Sequence, residues 1–178
     1  MTNPRPLAAF IAATVSLVVI DLSTKWWAVG ALSNSPRELP GPVDLQLAYN
    51  SGTAFGLFSN LPTIVVSIIT IAFVAVVVNM WRTHRAPTVP VALIVAGGIA
   101  NVIDRLESGS VVDMLYTSWW PTFNLADIYI TTGVTWWIIT TIRTPNATTA
   151  TAESIRGGAA ASPDRYDDSG DQTCPGKA

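Results

Sequence analysis

A run of 21 residues without a charged side chain, Leu61 to Trp81, constrains this chain more than any other feature. At about 1.5 Å per residue, a helix of that length crosses the roughly 30 Å hydrocarbon core of a bilayer. Three further apolar stretches, at about 7–32, 88–105 and 125–142, predict three more spans beside one at about 61–81. We therefore expect an all-α membrane protein, built as a bundle of four transmembrane helices.

The composition supports a membrane protein and argues against several other classes. Only 12% of the 178 residues are charged, whereas about 25% is usual in soluble domains, and the mean hydropathy is +0.40. The net charge of -2 gives no reason to expect a nucleic-acid partner. A signal peptide is an alternative interpretation of the apolar N-terminal stretch, but the chain stays hydrophobic after it.

The tail and the connecting segments lack the long apolar runs of the four predicted spans. Residues 144–178 contain few large apolar side chains, so we expect a disordered cytoplasmic tail after an integral-membrane domain at 1–143. Val43 to Tyr49 alternates, with Val43, Leu45, Leu47 and Tyr49 on one side, which predicts a short strand with one covered face. Leu106 to Phe123 is expected to be a loop.

Two carboxylates, Asp113 and Asp127, lie at the mouths of apolar segments with no charged residue between them. Ionisable groups are costly at such places, so they are functional candidates. Because the chain has one Cys and one His, a site built from several such ligands is excluded, and we expect no metal and no cofactor. We predict that Asp113 and Asp127 meet as a proteolytic pair.

Depth and orientation follow from the positions of the basic residues. Three polar side chains lie 16 residues along a span from a basic residue: Asp21 from Arg5, Asn101 from Arg85 and Asp127 from Arg143. That spacing is about 24 Å of helix, so all three should lie near one edge of the hydrocarbon layer. The bias of Arg residues to the opposite side places both termini in the cytoplasm and the acids near the outer face.

Some roles stay open at this point. Asp21 and Lys25 are four residues apart and share a helix face, so they could lock the bundle as an ion pair or contact a substrate. A small transporter or channel subunit, in which the acids relay protons or bind cations, is an alternative function. A purely structural membrane subunit is another.

Five motifs carry a resemblance to a known family. They are Asp21-Leu-Ser-Thr-Lys25, Asn50-Ser-Gly-Thr-Ala-Phe-Gly56, Asn101-Val-Ile-Asp-Arg105, Val112-Asp113 and Phe123-Asn-Leu-Ala-Asp127. In this order, on four spans, they resemble the bacterial lipoprotein signal peptidases, also called type II or prolipoprotein signal peptidases. The resemblance covers about Leu7 to Arg143 and leaves the tail outside it.

The resemblance implies an intramembrane aspartic endopeptidase of the bacterial inner membrane. Such enzymes remove signal peptides from prolipoproteins, cutting on the N-terminal side of an S-diacylglyceryl cysteine, and are blocked by globomycin. It also implies a small extracytoplasmic β-sheet and a short lid helix drawn from Ser33 to Leu61. We expect contact with membrane lipid and a monomer.

The family's catalytic aspartates fall on Asp113 and Asp127. Its other substrate-binding or site-supporting positions fall on Asp21, Lys25, Asn50, Gly52, Gly97, Asn101, Arg105, Asn124 and Ala126. One departure concerns Gly97, because the family's Gly-Gly-Ala-x-Gly-Asn reads Ala96-Gly-Gly-Ile-Ala-Asn101 here. The relative roles of Gly97 and Gly98 are therefore open.

The chemistry expected of such a pair follows from electrostatics. Two neighbouring carboxylates in a poorly solvated place cannot both ionise, so one keeps its proton while the other takes a proton from the attacking water. Which aspartate is the base is not assigned by the sequence. Asn101, Arg105 and Asn124 are candidate donors to the substrate, and Asn124 would share a face with Asp127 if that segment is helical.

Overall fold

The computed structural model describes residues 4–51 and 62–143. Four helices and three strands are arranged along this part of the chain: α1 (Pro4–Leu32), β1 (Asp44–Asn50), α2 (Thr63–Arg82), α3 (Thr88–Ser108), β2 (Val111–Thr117), β3 (Trp120–Phe123) and α4 (Leu125–Arg143). Met1–Thr141 forms one compact unit, and most of the second unit, Ile142–Ala178, lies outside the described residues. The predicted tail, Gly52 and residues 52–61 of the segment expected to supply the lid helix (Ser33 to Leu61) also lie outside them.

All four helices are long and apolar enough to cross a membrane, which confirms the predicted fold class. The share of the apolar stretch that is buried inside the protein is 67% for α3, against 22%, 17% and 11% for α1, α2 and α4. The central helix is therefore α3, and the other three expose most of their apolar side chains, as lipid-facing helices do.

Glycines let α3 and α4 approach closely. A Cβ on Gly97 would overlap the carbonyl oxygen of Ala126, and a Cβ on Gly133 would lie 2.7 Å from the carbonyl oxygen of Pro90. Gly98 instead faces a side chain of α2, Val74. The two neighbouring glycines therefore have different contacts: Gly97 lies beneath the start of α4, and Gly98 faces α2.

The three strands form an antiparallel sheet in the order β1-β2-β3. An irregularity in the β1–β2 register, between Leu45 and Ala48, adds one residue to β1. Such a bulge changes which side chains face inward. Tyr49 is 58% exposed whereas Leu45 and Leu47 are partly buried, so the predicted common side of these three residues is wrong, although the predicted strand itself is present. Asn50 lies on the inner face in its place.

The prediction of a loop from Leu106 to Phe123 is wrong. Helix α3 continues to Ser108, and the rest of the segment supplies β2 and β3, so Ser33 to Leu61 is not the only source of the sheet. The alternation that identifies a half-exposed strand is absent from β2, because its first four residues, Val111 to Met114, are all buried. Met114 packs with Ala28 and Leu32 of α1, which fixes the sheet against the bundle.

Candidate active site

Reciprocal hydrogen bonds at the start of α4 hold Asp127. The Oδ1 of Asn124 accepts the backbone N–H of Asp127 (3.0 Å), and the Oδ2 of Asp127 accepts the backbone N–H of Asn124 (3.2 Å). This is a capping box, in which the residue before a helix and the third helical residue satisfy each other's amide groups. The two residues were expected to share a helical face if their segment is helical, and that condition is not met at Asn124, which is the cap of α4.

Asp113 lies in the buried strand β2, and its side chain reaches the same cap. The residue is 1% exposed. Its Oδ1 accepts a hydrogen bond from the Nδ2 of Asn124 (2.7 Å), and its Oδ2 accepts one from the Nδ2 of Asn50 (3.3 Å). The bulge in β1 is what turns Asn50 towards this strand. Asn124 therefore contacts both carboxylates, which brings the predicted pair together.

Asn101 of α3 supports Asp127 from the other side. Its Nδ2 donates to the Oδ1 of Asp127 (3.1 Å), and its Oδ1 accepts hydrogen bonds from Lys25 (2.8 Å) and from the Nδ2 of Asn124 (3.3 Å). Arg105, one turn further along α3, donates to the backbone carbonyl of Asn101 (3.3 Å). Both oxygens of Asp127 thus have a defined donor.

The two carboxyl groups have different electrostatic surroundings. Burial raises the pKa of Asp113 from 3.8 to about 6, and the negative charge of Asp127 acts in the same direction. The hydrogen bonds from Asn124 and Asn50 oppose that rise without cancelling it. Asp127 lies in the first turn of α4, where the helix dipole stabilises a negative charge, and it attracts Arg105.

A second group of charges is buried directly behind the pair. Lys25 and Asp21, which are 2% and 0% exposed, form the predicted ion pair at 2.8 Å. Lys25 also contacts the Oδ2 of Asp104 at 2.9 Å. Asp104 was not among the predicted site residues. It belongs to the Asn101-to-Arg105 motif and, three residues after Asn101, lies on the same helix face, but nothing in the sequence indicates its hydrogen bond to Val112.

The predicted site residues within the described part of the chain lie close together. One connected set of hydrogen bonds and ion pairs contains Asp21, Lys25, Asn50, Asn101, Arg105, Asp113, Asn124, Ala126 and Asp127. Gly97 lies directly beneath it, against Ala126. Gly52 lies outside the described residues. Within residues 4–51 and 62–143, no group of three His, Cys, Asp or Glu side chains could hold a metal ion.

Fold and site together define a class of protein. Two carboxylates that share an amide cap, at one end of a bundle of membrane-spanning helices, have the arrangement of an intramembrane aspartic hydrolase. Such a pair can hold one proton between its members and activate a water molecule.

Comparisons with known proteins name the family. The family model described as signal peptidase (SPase) II matches residues 13–143. The lipoprotein signal peptidase of Symbiobacterium thermophilum is 35% identical over 133 residues, covering 70% of this chain and 88% of that relative. That of Rhodococcus jostii is 33% identical over 152 residues, covering 80% and 76%. The chain belongs to the signal peptidase II family.

Solved structures agree with this assignment. A bacterial membrane enzyme, solved by the in meso method at 2.3 Å resolution, has a TM-score of 0.66 and 28% identity to this chain. The alignment covers 76% of this chain and 88% of that structure. A second bacterial membrane enzyme, solved at 1.9 Å, has the same TM-score, with 27% identity and coverage of 76% and 94%.

Proposed function

We propose that Asp113 and Asp127 are the catalytic acid–base pair with which this chain cleaves prolipoproteins. As a member of the signal peptidase II family, the chain is an aspartic-type peptidase that removes signal peptides from prolipoproteins. The observation that carries the proposal is the position of Asn124, whose side chain and backbone contact both carboxylates. The same hydrogen bonds fix both carboxylates in place before a substrate arrives.

The surroundings of the pair support an assignment of roles. Because burial raises the pKa of Asp113, the shared proton resides mainly on that carboxyl group. Asp127, at the N-terminus of α4 and near Arg105, carries the negative charge. Asp127 is then the base that takes a proton from water, and Asp113 donates a hydrogen bond to the carbonyl oxygen of the peptide bond being cut.

The neighbouring amides support the carboxylates and are not donors to the substrate. The Nδ2 of Asn101 donates to Asp127, and the Nδ2 of Asn124 donates to Asp113 and Asn101. Moving either amide to the substrate would remove a donor from a buried carboxylate, which costs free energy. The predicted role of these two residues as substrate donors is therefore replaced by one in which they orient the pair.

The location of the site supports a lipid-modified substrate. Asp21, Asn101 and Asp127 lie towards the same end of three spans, and Arg residues are concentrated at the other end. The positive-inside rule then places both termini in the cytoplasm and the site near the outer face of the bacterial inner membrane. A cysteine carrying diacylglycerol would arrive from the lipid phase, so the cut on its N-terminal side can occur at this depth.

Cleavage of a lipid-modified prolipoprotein by the purified, detergent-solubilised chain tests the substrate class. We expect a gel shift that globomycin blocks, and a product whose mass shows the diacylglyceryl cysteine as its new N-terminal residue. The matched control is the same prolipoprotein without diacylglycerol, which we expect to stay uncut. Equal cleavage of both forms, or a product cut elsewhere, would contradict the proposed specificity. Size-exclusion chromatography of the same sample tests the expected monomer.

A further inference from the structure

The buried charges behind the pair are arranged in two matching arms. Asp21 accepts the backbone N–H of Ala126 (2.7 Å), and Ala126 directly precedes Asp127. Asp104 accepts the backbone N–H of Val112 (3.2 Å), and Val112 directly precedes Asp113. Each carboxylate therefore holds the backbone N–H of the residue that precedes one member of the catalytic pair.

Lys25 joins the two arms. Its Nζ lies 2.8 Å from the Oδ2 of Asp21 and 2.9 Å from the Oδ2 of Asp104. A third contact, 2.8 Å to the Oδ1 of Asn101, continues through the Nδ2 of Asn101 to the carboxylate of Asp127. One ammonium group on α1 thus reaches α3 directly, and reaches β2 and α4 through a single intermediate residue.

The charged atoms of these three residues bind one another and the backbone amides of Ala126 and Val112. The exposed fractions of Asp21, Lys25 and Asp104 are 0%, 2% and 5%. A buried ion pair is weak evidence for added stability, because desolvation offsets the attraction between the charges. The two arms end at the backbone N–H groups of the residues before Asp127 and Asp113. They are therefore better explained as holding the two aspartates in position than as adding stability.

We propose that Asp21, Lys25 and Asp104, together the lysine clamp, are positioning residues that set the separation of Asp113 and Asp127. This rests on the proposed function of that pair. The clamp ties the strand that carries Asp113 and the helix that carries Asp127 to one point on α1, so that neither carboxylate moves alone. It places Asp104, which neither the sequence nor the resemblance had marked as a site residue, in the supporting structure of the site.

Steady-state cleavage of the lipid-modified prolipoprotein tests the clamp, with kcat and KM measured on the monodisperse fraction of each variant. We expect Asp104→Leu and Lys25→Met to lower kcat about 100-fold, because a displacement near 1 Å in a catalytic group has that effect. Asp104→Asn retains an oxygen that can accept the Val112 N–H, so we expect a partial rescue, with a loss of about tenfold. KM should stay within about twofold of its original value in all three variants.

Glu107→Gln is the matched control, since Glu107 is an exposed carboxylate one turn from Asp104 on the same helix. We expect its kcat to equal that of the unmodified protein. If Asp104→Leu or Lys25→Met does not fold, Asp104→Asn decides the question. A kcat for Asp104→Asn equal to that of Glu107→Gln, a rise in KM alone, or a loss as complete as that of Asp113→Asn would each overturn the clamp. Turnover by Asp113→Asn itself would instead overturn the proposed catalytic pair.

Discussion

The two ends of α3 have different surroundings, one apolar and the other polar and charged. At one end, Val91, Ile94 and Val95 join a buried apolar cluster in which Phe10 of α1 also lies. At the other end, Asn101 and Asp104 belong to a buried polar network. The apolar end is held by shape alone, whereas the polar end holds charges at fixed positions. Close packing and chemistry are therefore separated along α3.

Different interactions stabilise the two ends of α3. Within a lipid bilayer, apolar side chains gain little by leaving the lipid, so the apolar end depends on close packing between helices. The ring stacking of Phe10 on Trp81, with centroids 4.1 Å apart, is one such contact. At the polar end, buried charges carry a desolvation cost that a purely structural role would not justify. Changes at the apolar end should therefore alter stability, and changes at the polar end should alter turnover.

Replacement of a glycine by alanine should lower kcat at one end of the α3–α4 contact and leave kcat unchanged at the other. A Cβ on Gly97 would overlap the carbonyl oxygen of Ala126, beside Asp127, so we expect Gly97→Ala to lower kcat about 100-fold. A Cβ on Gly133 would meet Pro90 and Ile94 instead, so Gly133→Ala should lower the melting temperature and leave kcat per folded molecule unchanged. Thermal unfolding and turnover, measured in the same detergent, check both.

A matched control for this pair of glycines is available on α3. Gly98→Ala would place its Cβ 2.7 Å from the Cγ2 of Val74 on α2, so it crowds the α2–α3 contact and not the start of α4. We expect its kcat to resemble that of the unmodified protein. If Gly133→Ala lost as much turnover per folded molecule as Gly97→Ala, the separation of packing from chemistry would be wrong.

Removal of the aromatic contact should test the apolar end alone. Phe10→Ala deletes a buried ring and leaves a cavity against Trp81, so we expect a loss of about 3 kcal/mol in the free energy of unfolding. Turnover of the folded fraction should not change. Ile11→Ala is the control, because Ile11 is exposed on the lipid-facing side of α1 and should change stability by less than about 0.5 kcal/mol. Equal losses in both variants would show that Phe10 has no special packing role.

The smallest expected effect is a dependence of stability on pH at the polar end. The pKa of Asp113 is raised from 3.8 to about 6 on folding, so the folded chain binds this proton more tightly than the unfolded chain. Its contribution to stability is fully present at low pH and is lost as pH rises through about 4 to 6. Asp113→Asn should remove that contribution.

The measurement is the difference in melting temperature between the unmodified protein and Asp113→Asn, followed across this pH range. The difference removes the effect of the titrating groups that do not interact with Asp113. We expect the unmodified protein to lose stability relative to the variant as pH rises. A constant difference, or one of the opposite sign, would show that burial does not govern the protonation of Asp113.

The membrane-spanning helices could be predicted from the sequence because lipid allows few alternatives. A long uncharged run such as Leu61 to Trp81 has to form a helix, since every backbone amide must be satisfied within the segment. The strands β2 and β3 were missed because Val111 to Met114 are buried without alternation. The bulge in β1 was missed because nothing in the local sequence marks the extra residue, and Tyr49 is exposed instead of lying on one side with Leu45 and Leu47.

The composition of the site was predictable, but its connections were not. The spacing of Asn124 and Asp127 was visible, and it is also the spacing of a capping box, a pattern that could have been recognised. The convergence of Asp113 with Asp127 could be expected from their charge and location. The role of Asp104 could not, because it depends on a hydrogen bond to Val112 across the turn between α3 and β2.

The proposed mechanism requires a single proton shared between the carboxyl groups of Asp113 and Asp127. The most direct test is the turnover of Asp113→Asn, of Asp127→Asn and of the double variant, each shown to be folded by its melting temperature. We expect each single change to lower kcat by about 1,000-fold, within the range of acid–base catalysis, and the double change to cost no more, because the two groups act as a unit. Turnover close to that of the unmodified protein in either single variant would contradict the account.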